Sequence, residues 1–205
     1  MTSAAEPAGA EHGDARTIIT GGIKLGILTA AGVTVFALLS RAMTGAPEIV
    51  VQSLLVLVGG IAFSFVPALW VQPRSTDGIA WTALVGLLGA LTFTVFDTAL
   101  LRPLDLYHWT WDRIGGGSGF WYIPVWWMLA AVLAWLGGWN WAAAGRSGKP
   151  VKLVKLAGLT AGICAVVFAI LAVTRIAPVG AAVVGLAWVV ALVLQIIIAH
   201  VPARR

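Results

Sequence analysis

Six long stretches of this chain are almost unbroken in apolar character, with short polar or charged breaks between them. They run roughly over 18–40, 49–71, 78–99, 120–139, 153–174 and 179–200. Each is close to the about 20 residues a helix needs to cross the hydrocarbon core of a bilayer. In hydrocarbon every backbone amide and carbonyl must be satisfied within the protein, so only helices and closed barrels span it. Barrel strands alternate apolar and polar positions over about ten residues. These runs are longer and do not alternate. The pattern predicts an all-α fold, an integral membrane bundle of six transmembrane helices forming one domain over 18–205. Arg102-Pro103 closes the third span, and Arg175, just ahead of Pro178, closes the fifth.

The opening residues, MTSAAEPAGAEHGDAR, are small, polar and acidic, with neither the basic start nor the short apolar core of a cleaved signal. Residues 1–17 read as a disordered tail ahead of an uncleaved first helix. With six spans, the tail, the second and fourth loops and the C-terminus share one side. Nine of the 13 basic residues fall there, among them Arg16, Lys24, Arg74, Arg146 and Lys149; Arg41, Arg102, Arg113 and Arg175 fall on the other. The positive-inside rule puts both termini in the cytoplasm, and the reading is a multi-pass protein of a bacterial-type inner or plasma membrane.

Composition agrees with the pattern. Hydrophobic residues make up 60% of the 205 and charged residues 10%, against about 25% charged in soluble domains. The net charge of +5 is topological here, since the cations sit between apolar spans, and nucleic acid is not an expected partner. The single cysteine, Cys164, lies within an apolar run and has no intramolecular partner for a disulfide. Small residues recur at the spacing that lets helix backbones approach in lipid: Gly22 and Gly26, Gly60 and Ser64, Gly158 and Gly162.

The connection between spans three and four holds most of the chemistry. Pro103 at a helix start and Gly115 past its end predict a short helix over 103–114. Turned at about 100° per residue, it gathers Asp105, His108, Trp109 and Asp112 on a narrow polar stripe, with Leu104, Leu106, Tyr107, Trp111 and Ile114 around the rest. It reads as an outward-facing amphipathic helix at the membrane interface. Trp121, Tyr122, Trp126 and Trp127 continue an aromatic belt into the fourth span. The same stripe admits a second reading, in which one imidazole and two carboxylates serve acid–base chemistry or a divalent metal. With no further histidine on that side, no metal set is assigned, and the cofactor is left unassigned. The GGGSGF run, 115–120, lacks a phosphate-loop pattern and reads as a flexible connection.

Asp97 is the one carboxylate inside a span. An ionisable group at that depth is a functional candidate by default; Thr94, one turn earlier, and Arg102, five residues later, are its expected partners. On the opposite side Arg146, Lys149, Lys152 and Lys155 form a basic cluster suited to anionic lipid, and Asn140 and Gln195 are placed to bond between helices. Three histidines, no nucleotide-binding loop and no serine-hydrolase motif exclude multi-histidine iron enzymes, P-loop enzymes and serine hydrolases.

Two functional classes remain, with a third behind them. The first is a non-catalytic subunit or scaffold binding lipid, pigment or partner helices, in other membrane subunits or a homo-oligomer. The second is a small enzyme acting on a lipid or isoprenoid at the outer leaflet. Its catalytic candidates are Asp97, Asp105, His108 and Asp112. Arg102 and Arg113 would hold an anionic head, and Tyr107, Trp109, Trp111, Trp121, Tyr122 and Trp126 would line its lipid. The third is a transporter with its path near Asp97.

Overall fold

A computed structural model describes residues 11–106, 122–176 and 180–200. Six long helices form the bundle: α1 (Ala15–Ala42), α2 (Ala46–Val71), α3 (Thr76–Phe96, continued by a π-turn over Asp97–Leu101), α4 (Tyr122–Gly145), α5 (Leu153–Thr174) and α6 (Ala181–His200). No strand occurs among the described residues. All six are long and apolar enough to cross a membrane.

Local chemistry sets the ends. Asp14 caps α1, its carboxylate accepting from the Thr17 amide at 2.9 Å and the Thr17 hydroxyl at 2.6 Å. This cap starts the helix at Ala15, three residues before the first apolar run. Pro47 sits in the first turn of α2, where its missing N–H is harmless. Ser75 caps α3 through the Gly78 amide at 3.0 Å. Gln72 and Arg175 close α2 and α5 in the left-handed region. The fourth helix runs to Gly145, six residues beyond the expected end, because Asn140 is buried against α6 and does not break the helix.

Sequential helices run antiparallel. One end of the bundle gathers the starts of α1, α3 and α5 with the finishes of α2, α4 and α6. There the His12 amide donates to the Val71 carbonyl at 2.8 Å, and Arg146 meets His200. The other end holds Arg41, Gln52 and the close of α3; Gln52 donates to Ser40 across the α1–α2 turn and to Glu48 one turn earlier in α2. α1 and α4 pack mainly against α3, and α5 against α6.

Close helix approach rests on glycine. A Cβ at Gly22 would meet the Leu88 Cβ at 2.4 Å, and one at Gly26 the Thr92 Cβ at 2.4 Å, so α1 lies directly on α3. At Gly137 it would fall 1.7 Å from the Ser64 carbonyl oxygen, which puts α4 backbone against α2 backbone. Gly60 and Ser64 form a notch for Trp188 of α6. A Gly60 Cβ would touch the indole at 3.0 Å, and the indole N–H donates to Ser64 Oγ at 3.1 Å. Around this notch Phe65, Ala68, Leu136, Ala187 and Leu192 form the main core.

The outer surface is apolar along the helices. Val58, Val95, Met128, Val154, Val166, Val173 and Ile198 are all exposed. In water such faces would drive aggregation; in lipid they are solvated. Hydroxyls are hidden in the matching way: Thr29, Thr34, Thr82 and Thr174 each donate to the carbonyl four residues back. The architecture is compatible with a multi-pass membrane protein.

Candidate functional site

Asp97 and Arg102 come together where α3 changes its turn. Up to Phe96 the helix is regular. The Arg102 amide then bonds to the Asp97 carbonyl at 2.9 Å, a five-residue closure. On a regular helix a residue five positions on lies about 140° round the axis, and the two side chains would diverge. The wider turn brings Arg102 back above Asp97, its Nε 3.4 Å from Asp97 Oδ2. Pro103 explains the widening: it has no N–H, and its ring would collide with the Ala99 carbonyl of a regular helix.

The chain then stops. The Leu106 amide reaches the Leu101 carbonyl at 3.2 Å, and the Asp105 amide the Arg102 carbonyl at 2.9 Å, with Asp105 at φ 50°. These two bonds and a left-handed residue make a Schellman close, and its usual apolar contact is present, Leu106 packing beside Leu101. Arg41, from the last turn of α1, donates to the Asp105 carbonyl. The expected helix over 103–114 therefore does not begin at Pro103: residues 102–105 are the closing turn of α3. An aspartate tolerates the left-handed position that most residues avoid, which is why the turn falls at Asp105.

Of the expected catalytic residues, Asp97 and Asp105 fall among the described residues, and their settings differ. Asp97 is fully buried, with Arg102 beside it at 31% side-chain exposure. Asp105 is exposed, its backbone serving the turn. Thr94 donates to the Ala90 carbonyl at 2.8 Å and accepts from the Trp127 indole at 3.0 Å, tying α3 to α4. Tyr107, His108, Trp109, Trp111, Asp112, Arg113 and Trp121, and with them most of the proposed polar stripe, lie outside the described residues. Tyr122 opens α4, and Trp126 is half-buried. Among the described residues no three of His, Cys, Asp and Glu stand together as a metal set. Chemically, a buried carboxylate beside a guanidinium is a register lock while paired.

Deeper polar groups are directed at neighbouring helices. Thr160 of α5 donates to Gln195 Oε1 of α6 at 2.5 Å. Asn140 Nδ2 donates to the Leu136 and Leu192 carbonyls at 3.0 and 3.1 Å, while its Oδ1 is buried with no hydrogen-bond partner among the described residues.

At the opposite end, the Glu11 carboxylate accepts from the Arg74 and Ser75 amides at 2.8 and 3.0 Å and from the Ser75 hydroxyl at 2.8 Å. Burial pushes the Glu11 carboxyl up, but these bonds and the Arg74 charge together hold it below its ordinary value. Asp14 is lowered by its bonds to the Thr17 hydroxyl and amide. A Cβ at Gly78 would lie 2.4 Å from the Glu11 carboxylate carbon, and one at Gly13 2.8 Å from the Trp81 ring. Both glycines leave room for residues 11–14 against the α2–α3 turn. Pattern reading missed Glu11 and Arg41 as contact residues, since polar residues beyond a span carry no periodicity. Arg146, Lys149, Lys152 and Lys155 are exposed around the α4–α5 turn.

Comparison with family models, with curated protein sequences and with solved structures finds no match to this chain.

Proposed function

We propose that the chain is a non-catalytic subunit or scaffold of a bacterial-type inner or plasma membrane, with both termini cytoplasmic and a partner helix seated on α5. The observation that carries this reading is where the interior polar groups go. Ser64 serves Trp188, Thr160 serves Gln195, Asn140 serves Leu192 and Thr94 serves Trp127, each a link from one helix to the next. Such bonds contribute about 0.6 kcal/mol each in a membrane bundle and fix register; they do not line a substrate path.

The outer face of α5 supports the choice of partner. Gly158, Gly162, Ala165 and Ala169 lie exposed along it, and a Cβ at either glycine would meet nothing within 4 Å. Gly22 and Gly26 have the same spacing and are filled by α3. In lipid, helices associate largely through such close approach. Cross-linking in native membranes tests this. Ala165→Cys in a Cys164→Ala background is expected to give a defined adduct with a second polypeptide, and Val58→Cys, on α2, to give none. Equal, sparse labelling at both positions refutes the partner on α5.

A second reading, an enzyme on an outer-leaflet lipid or isoprenoid or a transporter path, is favoured by one feature, the full burial of Asp97 beside Arg102. Under that reading Asp97→Asn abolishes function in a folded protein. Under the scaffold reading it leaves function intact.

A further inference from the structure

The chain beyond Asp112 carries cationic side chains and no anionic ones. From residue 113 to 205 there is no Asp or Glu, yet eight of the 13 basic residues lie there. Four of them, Arg146, Lys149, Lys152 and Lys155, are exposed around the α4–α5 turn, and none forms an ion pair among the described residues. Among the described residues, the carboxylates at that end of the bundle are engaged elsewhere. Glu11 holds the Arg74–Ser75 turn, Asp14 caps α1, and Asp77 lies in the first turn of α3, where the helix dipole favours it.

Arg146 has a defined seat. His200 Nδ1 lies 2.8 Å from the Ile196 carbonyl, so that nitrogen carries the proton; Nε2 is then the acceptor for the Arg146 guanidinium at 2.8 Å. A neutral ring positions the cation between the ends of α4 and α6 and leaves its charge uncompensated. Trp139 stands edge-to-face against that ring at 6.2 Å and against the exposed Trp135 at 5.0 Å. On α5, Val154 is 84% exposed between Lys152 and Lys155, and Leu159 is exposed one turn further in.

We propose that this face, the end of α4, the start of α5 and the end of α6, docks the phosphate headgroup of an anionic phospholipid. The cations form an outer rim, and an aromatic and aliphatic wall lies just inside it. An acyl chain covers such a wall, while a soluble acidic protein leaves it bare; tryptophans prefer this depth. A phosphate displaces the neutral imidazole as partner of Arg146, since a charge-assisted bond is the stronger one. The inference rests on the membrane placement proposed above.

The test uses the full chain reconstituted in phosphatidylcholine vesicles doped with phosphatidylglycerol, with retained lipid read by native mass spectrometry. Retention of phosphatidylglycerol over phosphatidylcholine is expected, falling about fivefold for each cation removed, in Arg146→Gln and separately in Lys152→Gln. Phosphatidylcholine retention should not change. Arg41→Gln, at the opposite end, is the control and keeps the preference. Equal retention of the two lipids overturns the proposal, as does a preference indifferent to Arg146→Gln and Lys152→Gln together. Binding of polyglutamate without preference for phosphatidylglycerol assigns the face to an acidic polypeptide and also overturns it. Failure to insert into any vesicle refutes the membrane placement itself.

Discussion

Replacing Gly137 by alanine adds one methyl where α4 lies on α2. The new Cβ would sit 1.7 Å from the Ser64 carbonyl oxygen and 2.4 Å from its carbon, both well inside the 3.4 Å at which ordinary contact begins. Both neighbours are backbone, so no rotamer change relieves the clash and the two helices must part. Parting them thins the packing of Phe65 and Ala68 against Leu133 and Leu136, and a radial gap of about 0.5–1 Å forfeits a quarter to a half of each contact. Overpacking of this kind costs about 1–3 kcal/mol. The gain from helix propensity, at most about 1 kcal/mol, does not cancel it. The same substitution at Gly158 meets nothing within 4 Å and is expected to be neutral or stabilising by up to about 1 kcal/mol. Unfolding by SDS in mixed micelles, followed through tryptophan fluorescence, measures both. A Gly137→Ala protein as stable as the parent, or a Gly158→Ala protein equally damaged, would refute the assignment of Gly137 to a tight α2–α4 crossing.

Other outcomes follow from the same contacts. Arg102→Gln leaves Asp97 buried without its guanidinium. Because Arg102 is 31% exposed, the loss should fall below the about 3–5 kcal/mol typical of a broken buried pair; adding Asp97→Asn should recover more than half of it, and a double variant no better than the single one removes the pair from the account. Ser64→Ala strands the Trp188 N–H and should cost about 0.6–1.7 kcal/mol with a shifted tryptophan emission; an unchanged spectrum contradicts the notch. Glu11 has its folded-state pKa lowered, so its contribution is present above the ordinary carboxylate value of about 4.3 and is lost as pH falls through the lower folded value. Hydrogen exchange at the Arg74 and Ser75 amides, corrected for intrinsic rates, should show protection at neutral pH that is lost as the solution is acidified below the ordinary carboxylate range; constant protection disproves the Glu11 contact.

The helices were legible because lipid demands one property, long unbroken apolarity, that leaves a mark on every residue of a span. The fifth run, 153–174, coincides with α5, and the others agree within a few residues except at the end of α4, where Asn140 looks like a boundary and is an interhelical donor. Glycine spacing marked candidate approaches but not which were filled; Gly22 and Gly158 look alike in sequence, and only the fold distinguishes them. The pairing of Asp97 with Arg102 was open to reading as a charge match. The geometry that permits it was not, because a five-residue spacing argues against contact on any regular helix. Pro103 carries the signal of irregularity, but a proline marks a helix start as readily as a helix end, and here it lies in the end.

The five-residue closure at Asp97 amounts to an α-helix holding one residue more than its pitch allows. Deleting a single position within 98–101 would let the turn relax to ordinary winding. Arg102 would then stand four positions after Asp97, about 40° round the axis, so the guanidinium would keep its place above the carboxylate. This segment therefore behaves as a point of length tolerance in the chain, where a one-codon loss is taken up by the turn itself.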